Sequence, residues 1–283
     1  MVVHGREKTG VPLAINGIFG NMGIAVAALM TGFLIDTNGW RAAFVLPGIV
    51  SIGFGFAYIL FIRAGRAARA AEIASGAAAR KAVAGTMTID RNLIIRTFAI
   101  IFTTTAIGGF ILRSTTFALP KIFDERLTDI ANSATLIGTY SFLVFALAAF
   151  AQLVVGYLVD RYSIRIIFAF VAALQAVLFV VMINLTGLAA LFVSFGFMLV
   201  VFGQIPINDV LVGRITRSEW RSRAYALRYL ITFSVAATAV PLIAWIHAEW
   251  SFVILFILMA IGAAGTFTVA LLLPSAVAKP KFP

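Results

Sequence analysis

The chain has 283 residues, 62% of them hydrophobic and 12% charged, with a net charge of +11. So apolar a composition leaves too little polar surface for a water-soluble globule of this size, and the absence of cysteine removes disulfides, thiolate chemistry and cysteine-ligated metals. Strong positive charge is also common in nucleic-acid-binding proteins, but here it collects in the connections between apolar runs, which points to a membrane and away from nucleic acid.

Eight such runs follow one another, with cores at 13–35, 42–63, 93–117, 132–159, 163–184, 187–212, 224–247 and 250–273. Each holds the ~20 residues that a helix rising 1.5 Å per residue needs to cross ~30 Å of hydrocarbon. None alternates polar with apolar, which excludes the strands of a closed barrel. The fold class is therefore all-α, a polytopic transmembrane helical bundle. The first ten residues are polar and basic, and the run behind them is long enough to be retained as a span, so no cleavable signal peptide is visible. Of the 22 Lys and Arg residues, 18 lie at the ends and in every second connection, while Arg41, Arg113, Lys121 and Arg126 lie on the other side. That asymmetry predicts a multi-pass protein of the cell inner membrane with both termini cytoplasmic. Connections near 36–41, 118–131, 184–187 and 247–250 then face outside.

The runs divide unequally. Residues 1–63 supply two spans. Residues 64–92 form a cytoplasmic linker rich in Ala, Gly and Arg, with Arg63, Arg66 and Arg69 spaced to share a helix face toward anionic headgroups. Residues 93–274 form a six-helix bundle, and 275–283 a cytoplasmic tail. The first two spans and the last two share a layout: basic inner segment, span, very short outer turn with Trp40 or Trp250, second span. If that repeat holds, about four helices are expected ahead of Met1.

Two stretches carry a family likeness. Between the fourth and fifth spans stands Gly156-Tyr157-Leu158-Val159-Asp160-Arg161-Tyr162-Ser163-Ile164-Arg165. Gly156 lets two helices approach, Asp160 can pair with a base or cap a helix end, and Arg161 and Arg165 suit the inner surface. Earlier come Gly17-Ile18-Phe19-Gly20-Asn21-Met22-Gly23, Thr31-Gly32-Phe33-Leu34-Ile35-Asp36 and Gly39-Trp40-Arg41-Ala42-Ala43-Phe44. Together they resemble the inner-loop motif and the fifth and sixth helices of the major facilitator superfamily. The resemblance implies a two-bundle transporter fold, represented by its last eight helices. It also implies alternating access around a midplane site, with a small-molecule substrate and usually protons as partners. Ser163 replaces the family's usual glycine. Ala27-Ala28-x-x-Thr31-Gly32 keeps one position of the antiporter signature and gives no support for antiport.

Ionisable and amide groups inside spans mark candidate sites. Arg113 either snorkels to the outer interface or faces the cavity toward an anionic or polar substrate group, with Thr104 and its neighbouring hydroxyls on the same helix. Threonines in such helices commonly bond their own backbone. Gln204 and Asn208 flank Pro206, whose ring frees a carbonyl and kinks the helix, and they are candidate substrate contacts. Asp209, near the inner end and within a turn or two of Arg214, reads as a gate or helix-end ion pair rather than a proton carrier. Arg228, seven residues after Arg221 on the same face and with Tyr225 between, is a candidate gate against the inner segment near 5–8, or an interfacial anchor. Asp160, Arg161 and Arg165 complete the gating set. His4 and His247 lie on opposite sides, no metal motif or phosphate loop with Lys-Ser or Lys-Thr appears, and no cofactor is expected. The reading is gradient-driven secondary transport of a small, weakly charged organic solute, without ATP hydrolysis and not an enzyme. The alternatives are a truncated, non-transporting fragment or, less well served by the residues, an integral-membrane enzyme or assembly factor.

Overall fold

A computed structural model describes residues 10–64, 91–215 and 221–273. Among them every regular element is an α-helix: α1 (Gly10–Asn38), α2 (Ala42–Ala64), α3 (Arg91–Arg126), α4 (Ala134–Ala149), α5 (Ala151–Arg161), α6 (Ile164–Met182), α7 (Gly187–Ile215), α8 (Arg221–Glu249) and α9 (Phe252–Leu271). α4 and α5 make one span, Ala134–Arg161, so the described residues contain eight segments long and apolar enough to cross a membrane. The all-α, eight-span expectation holds. The basic linker beyond Ala64, the inner segment near 5–8, residues 216–220 and the tail lie outside the described residues, as do the side chains of Arg214, Arg221 and Tyr225.

Turn chemistry sets several boundaries. Gly39, at φ +79°, lets the chain reverse between α1 and α2 in a conformation that a Cβ would disfavour. Ser133 caps α4, its hydroxyl accepting from the Leu136 N–H at 3.2 Å. Ser251 does the same for α9 through the Val253 N–H at 3.3 Å. At Phe150 the fourth span tightens: the Phe150 N–H donates to the Leu147 carbonyl and the Leu153 N–H to the Phe150 carbonyl, both three residues back.

The third span departs from the expected pattern. The apolar run ends near residue 117, but α3 continues through Pro120 to Arg126. The outer connection read as 118–131 is accordingly shortened to 127–133. Proline removes one backbone donor, yet Leu119, Ile122 and Phe123 beside it are wholly buried, and their packing holds the extra turns.

α6, α7 and α9 meet around Phe179, Phe197 and Phe256, whose ring centroids lie 5.4 to 6.3 Å apart in tilted and edge-on pairs. A second apolar cluster around Val159, Phe168, Ile207 and Leu211 seals the opposite end. Arg126, at the C-terminal end of α3, ties that end to the C-terminal end of α6. Its guanidinium donates to the carbonyls of Met182, Ile183 (2.9 Å) and Leu185 (3.3 Å) and lies 5.0 Å from the Phe256 ring centroid. These carbonyls lie at and just beyond the end of α6, where regular helical partners run out. α1 packs most extensively against α4 and also touches α5, whereas α2 packs mainly along α1.

Candidate functional site

α3 is the wall around which the candidate polar groups are arranged. Residues 113, 116, 117, 120, 121 and 124 recur at helical spacing and line a cavity of about 600 Å³. The opposite walls come from Ala28, Thr31 and Gly32 of α1 and from Ile137, Gly138 and Phe145 of α4. Arg113 stands midway along the apolar segment Ala99–Arg126, roughly 20 Å from its C-terminal end. Its guanidinium carbon is 5.8 Å from the Phe117 ring centroid, and its buried Nε has no hydrogen-bond partner. Among the described residues no carboxylate comes within ion-pair distance of Arg113. Lys121, about two turns further along α3, is committed to Asp124 at 2.6 Å and Glu125 at 3.6 Å. Glu125 also meets His247 of α8 at 2.8 Å.

A second polar cluster lies on another side of α3. Gly108 sits ~140° around the helix from Arg113. A Cβ there would lie 3.0 Å from Gln204 Nε2 and 3.8 Å from Asn208 Nδ2, so the missing side chain makes room for both amides. Gln204 is 4% exposed, and its Nε2 has no partner. Thr105 is equally buried with an unpartnered hydroxyl. Thr104, the expected ligand, donates instead to the carbonyls of Ile100 (2.9 Å) and Ile101 (3.1 Å) of its own helix. Its hydroxyl proton is therefore spent, as is usual for threonine in an apolar helix. The expected substrate contacts thus form two groups: Arg113 in the α1–α3–α4 cavity, and Gln204 with Asn208 beneath Gly108.

Asp209 pairs with Arg228 of α8 through a short charge-assisted hydrogen bond. This bridge joins two helices. The sequence pattern put Arg214 near Asp209, and the Arg214 side chain lies outside the described residues; a cation 19 residues away on the next helix is a partner that sequence distance does not reveal. Arg228 is 12% exposed with its Nε unpartnered. Its anticipated contact with the segment near 5–8 falls outside the described residues.

Asp160 caps α1, accepting from the N–H groups of Gly10 (2.9 Å) and Val11 (3.2 Å). Arg161 turns back over Tyr157, its guanidinium carbon 4.2 Å from the ring centroid. Arg165 lies, partly exposed, in the first turn of α6. Asp36, quoted in the sequence only as the end of a family stretch, was given no role there. It accepts from the N–H groups of Ala134 (3.2 Å) and Thr135 (2.6 Å) and from the Thr135 hydroxyl (2.6 Å). The available signal was a repeat: Gly-x-Leu-x-Asp occurs at 32–36 and again at 156–160. Among the described residues no group of three or more His, Asp or Glu side chains could hold a metal ion.

Two comparisons bear on this arrangement. A family model described as the Major Facilitator Superfamily matches residues 3–227 and 122–283. One similar protein is a "Probable hexose phosphate transport protein" of Chlamydia pneumoniae, 35% identical over 60 residues. That stretch is 21% of this chain and only 13% of the relative's own length.

Proposed function

The chain belongs to the major facilitator superfamily, and from that premise we propose that it carries a small organic solute across a membrane by alternating access. Transport is driven by a solute or ion gradient, without ATP hydrolysis, and the protein works as a carrier rather than an enzyme. The observation that carries this reading is Arg113. A charged group midway along an apolar span is costly unless something uses it. Here it lines a cavity of about 600 Å³, within the range that holds small ligands.

Because Lys121 is neutralised by its own carboxylates, Arg113 supplies the cavity's free cation among the described residues. That suits a polar, weakly charged solute. The Chlamydia relative is named for hexose phosphate, which makes sugar phosphates and sugars reasonable first probes. In this reading Gln204 and Asn208 are secondary polar contacts, and Asp209–Arg228 clamps α7 to α8. Asp160, Arg161 and Arg165 belong to the inner surface. The functional units are 1–63, the basic linker 64–92, the bundle 93–274 and the tail 275–283. Both termini face the cytoplasm across the cell inner membrane, as the distribution of Lys and Arg favours.

The test is uptake by vesicles reconstituted with the full chain, using labelled glucose, glucose 6-phosphate and a neutral polyol as probes under imposed ion and solute gradients. Arg113→Ala should lower uptake of the preferred probe by about tenfold or more, the loss of one charge-assisted contact, with membrane insertion unchanged. Uptake at the parent rate would return Arg113 to snorkelling. Absence of gradient-dependent uptake of every probe by the parent chain would sink the transport reading itself.

A further inference from the structure

One end of the Arg113 cavity holds an uneven set of charges. Lys121 and Asp124 line that end, about 12 Å along α3 from Arg113. The Lys121 ammonium lies 2.6 Å from Asp124 Oδ2 and 3.6 Å from Glu125 Oε1, so one cation faces two carboxylates. The same Glu125 oxygen meets His247 Nε2 of α8 at 2.8 Å. Lys121 and His247 therefore share one carboxylate oxygen. Lys121 belongs to the cavity wall, whereas Glu125 and His247 stand outside the lining.

The imidazole is set in place by Phe252, the first residue of α9, with ring centroids 4.3 Å apart. The charged groups that face it from α3 are Lys121, Asp124 and Glu125, while Arg126 turns its guanidinium to the carbonyls at the end of α6. α9 carries no ionisable side chain between Phe252 and Leu271. On α8 itself Glu249 stands two residues further on, which puts it on the opposite face of the helix. Of these side-chain types only imidazole ordinarily changes charge between pH 5 and 8. With His247 neutral, one positive and two negative charges leave this end of the cavity with a net charge of −1. With His247 protonated, two face two and the net charge is zero.

We infer that His247 is a specificity-determining residue of the Arg113 cavity: paired with Glu125 behind the wall, its protonation cancels the surplus negative charge beside Lys121 and so favours anionic solutes over cationic ones. Neutral solutes are indifferent to it. The effect is full where the imidazole is charged and is lost as pH rises through its titration. Its meaning for transport rests on the carrier reading above.

The chain contains no cysteine, so one introduced thiol can sense this charge. Thr31→Cys places it on α1, exposed and on the wall opposite α3. The full chain in a non-ionic detergent is treated in parallel with an anionic (sulfonate) and a cationic (trimethylammonium) methanethiosulfonate reagent. The ratio of the two rates cancels the ionisation of the thiol itself and reads the local potential. On going from about pH 8 to about pH 5.5, the anionic-to-cationic ratio should rise about fivefold, the effect of one unit charge at roughly 10 Å on two oppositely charged reagents. His247→Gln should keep the ratio at the parent's high-pH value throughout. Glu125→Gln removes the surplus carboxylate directly and should give, already at the higher pH, the ratio that the parent reaches at the lower. A parent ratio that does not move with pH overturns the inference, and so does a pH response that survives in His247→Gln. Should His247→Gln fail to fold, Glu125→Gln decides alone: a high-pH ratio equal to the parent's overturns the inference equally. No substrate enters this measurement, so it stands or falls apart from the uptake assay.

Discussion

Neutralising one partner of the Asp209–Arg228 bridge should cost far more than neutralising both. The side chains are 26% and 12% exposed, Arg228 Nε has no other acceptor, and the pair lies where α7 meets α8. Asp209→Asn alone leaves the largely buried Arg228 guanidinium without its counter-ion, and Arg228→Gln alone takes from Asp209 its cation on the neighbouring helix. Breaking such a pair costs about 3 to 5 kcal/mol, and the partial exposure of Asp209 places this case at the lower end, about 3 kcal/mol. The double variant Asp209→Asn/Arg228→Gln leaves two neutral groups still able to hydrogen-bond, at a cost of about 1 kcal/mol. The cycle should therefore be non-additive by several kcal/mol, above the usual range for neighbours of about 0.5 to 3. Unfolding of the detergent-solubilised chain by a graded denaturing detergent, followed through Trp245 and Trp250 at the end of α8, measures it. Single substitutions costing under about 0.5 kcal/mol and adding independently would refute the clamp. Uptake by the double variant then separates roles. A clamp predicts retained gradient-driven uptake from a folded double variant, whereas a proton-carrying Asp209 predicts a folded protein whose uptake no longer responds to a proton gradient.

Arg126→Ala should destabilise the chain by about 3 kcal/mol, because three carbonyl contacts at the end of α6 and the Phe256 ring contact disappear together. Arg126→Lys should recover less than half, since one ammonium cannot span three carbonyls; thermal unfolding in detergent reads both, and full rescue by Lys would discount the fork geometry. The glycines of α1 should divide into two classes. Gly32→Ala drives a Cβ into the Ala134 backbone and should lower both stability and uptake, while Gly20→Ala and Gly23→Ala, with nothing within 4 Å, should be neutral or stabilising by up to about 1 kcal/mol. Equal effects at Gly32 and Gly23 would remove the α1–α4 seam as an explanation.

Spans and connections were readable from the sequence because the requirement is one-dimensional: ~20 apolar residues per crossing, in a solvent that leaves the backbone only helical hydrogen bonds. Depth was less readable. Arg113 sits near the end of an apolar run but in the middle of a helix, because the polar extension past Pro120 is held by Ile122 and Phe123, and that packing has no signature in hydropathy. Partners were least readable. Asp209 finds Arg228 across a helix pair and Asp36 finds Thr135 on another span. Thr104, put forward as a substrate contact although threonines in such helices commonly bond their own backbone, does bond its own backbone, a contact within four residues of chain and so local.

The two kinds of packing in this molecule suggest where movement is cheap. In lipid the hydrophobic effect does not drive helices together, so association rests on close fit and on polar contacts. α6, α7 and α9 interlock through Phe179, Phe197 and Phe256, and separating them opens a void that no small group can refill. The α1/α4–α5 seam meets instead through small residues and bare backbone, with its polar contacts concentrated at the two ends. Parting one end of that seam costs a few hydrogen bonds that incoming water can replace, and leaves no large cavity. In the alternating-access cycle proposed above, movement would run most cheaply along this seam, with the aromatic bundle moving as a block beside the cavity that Arg113 lines.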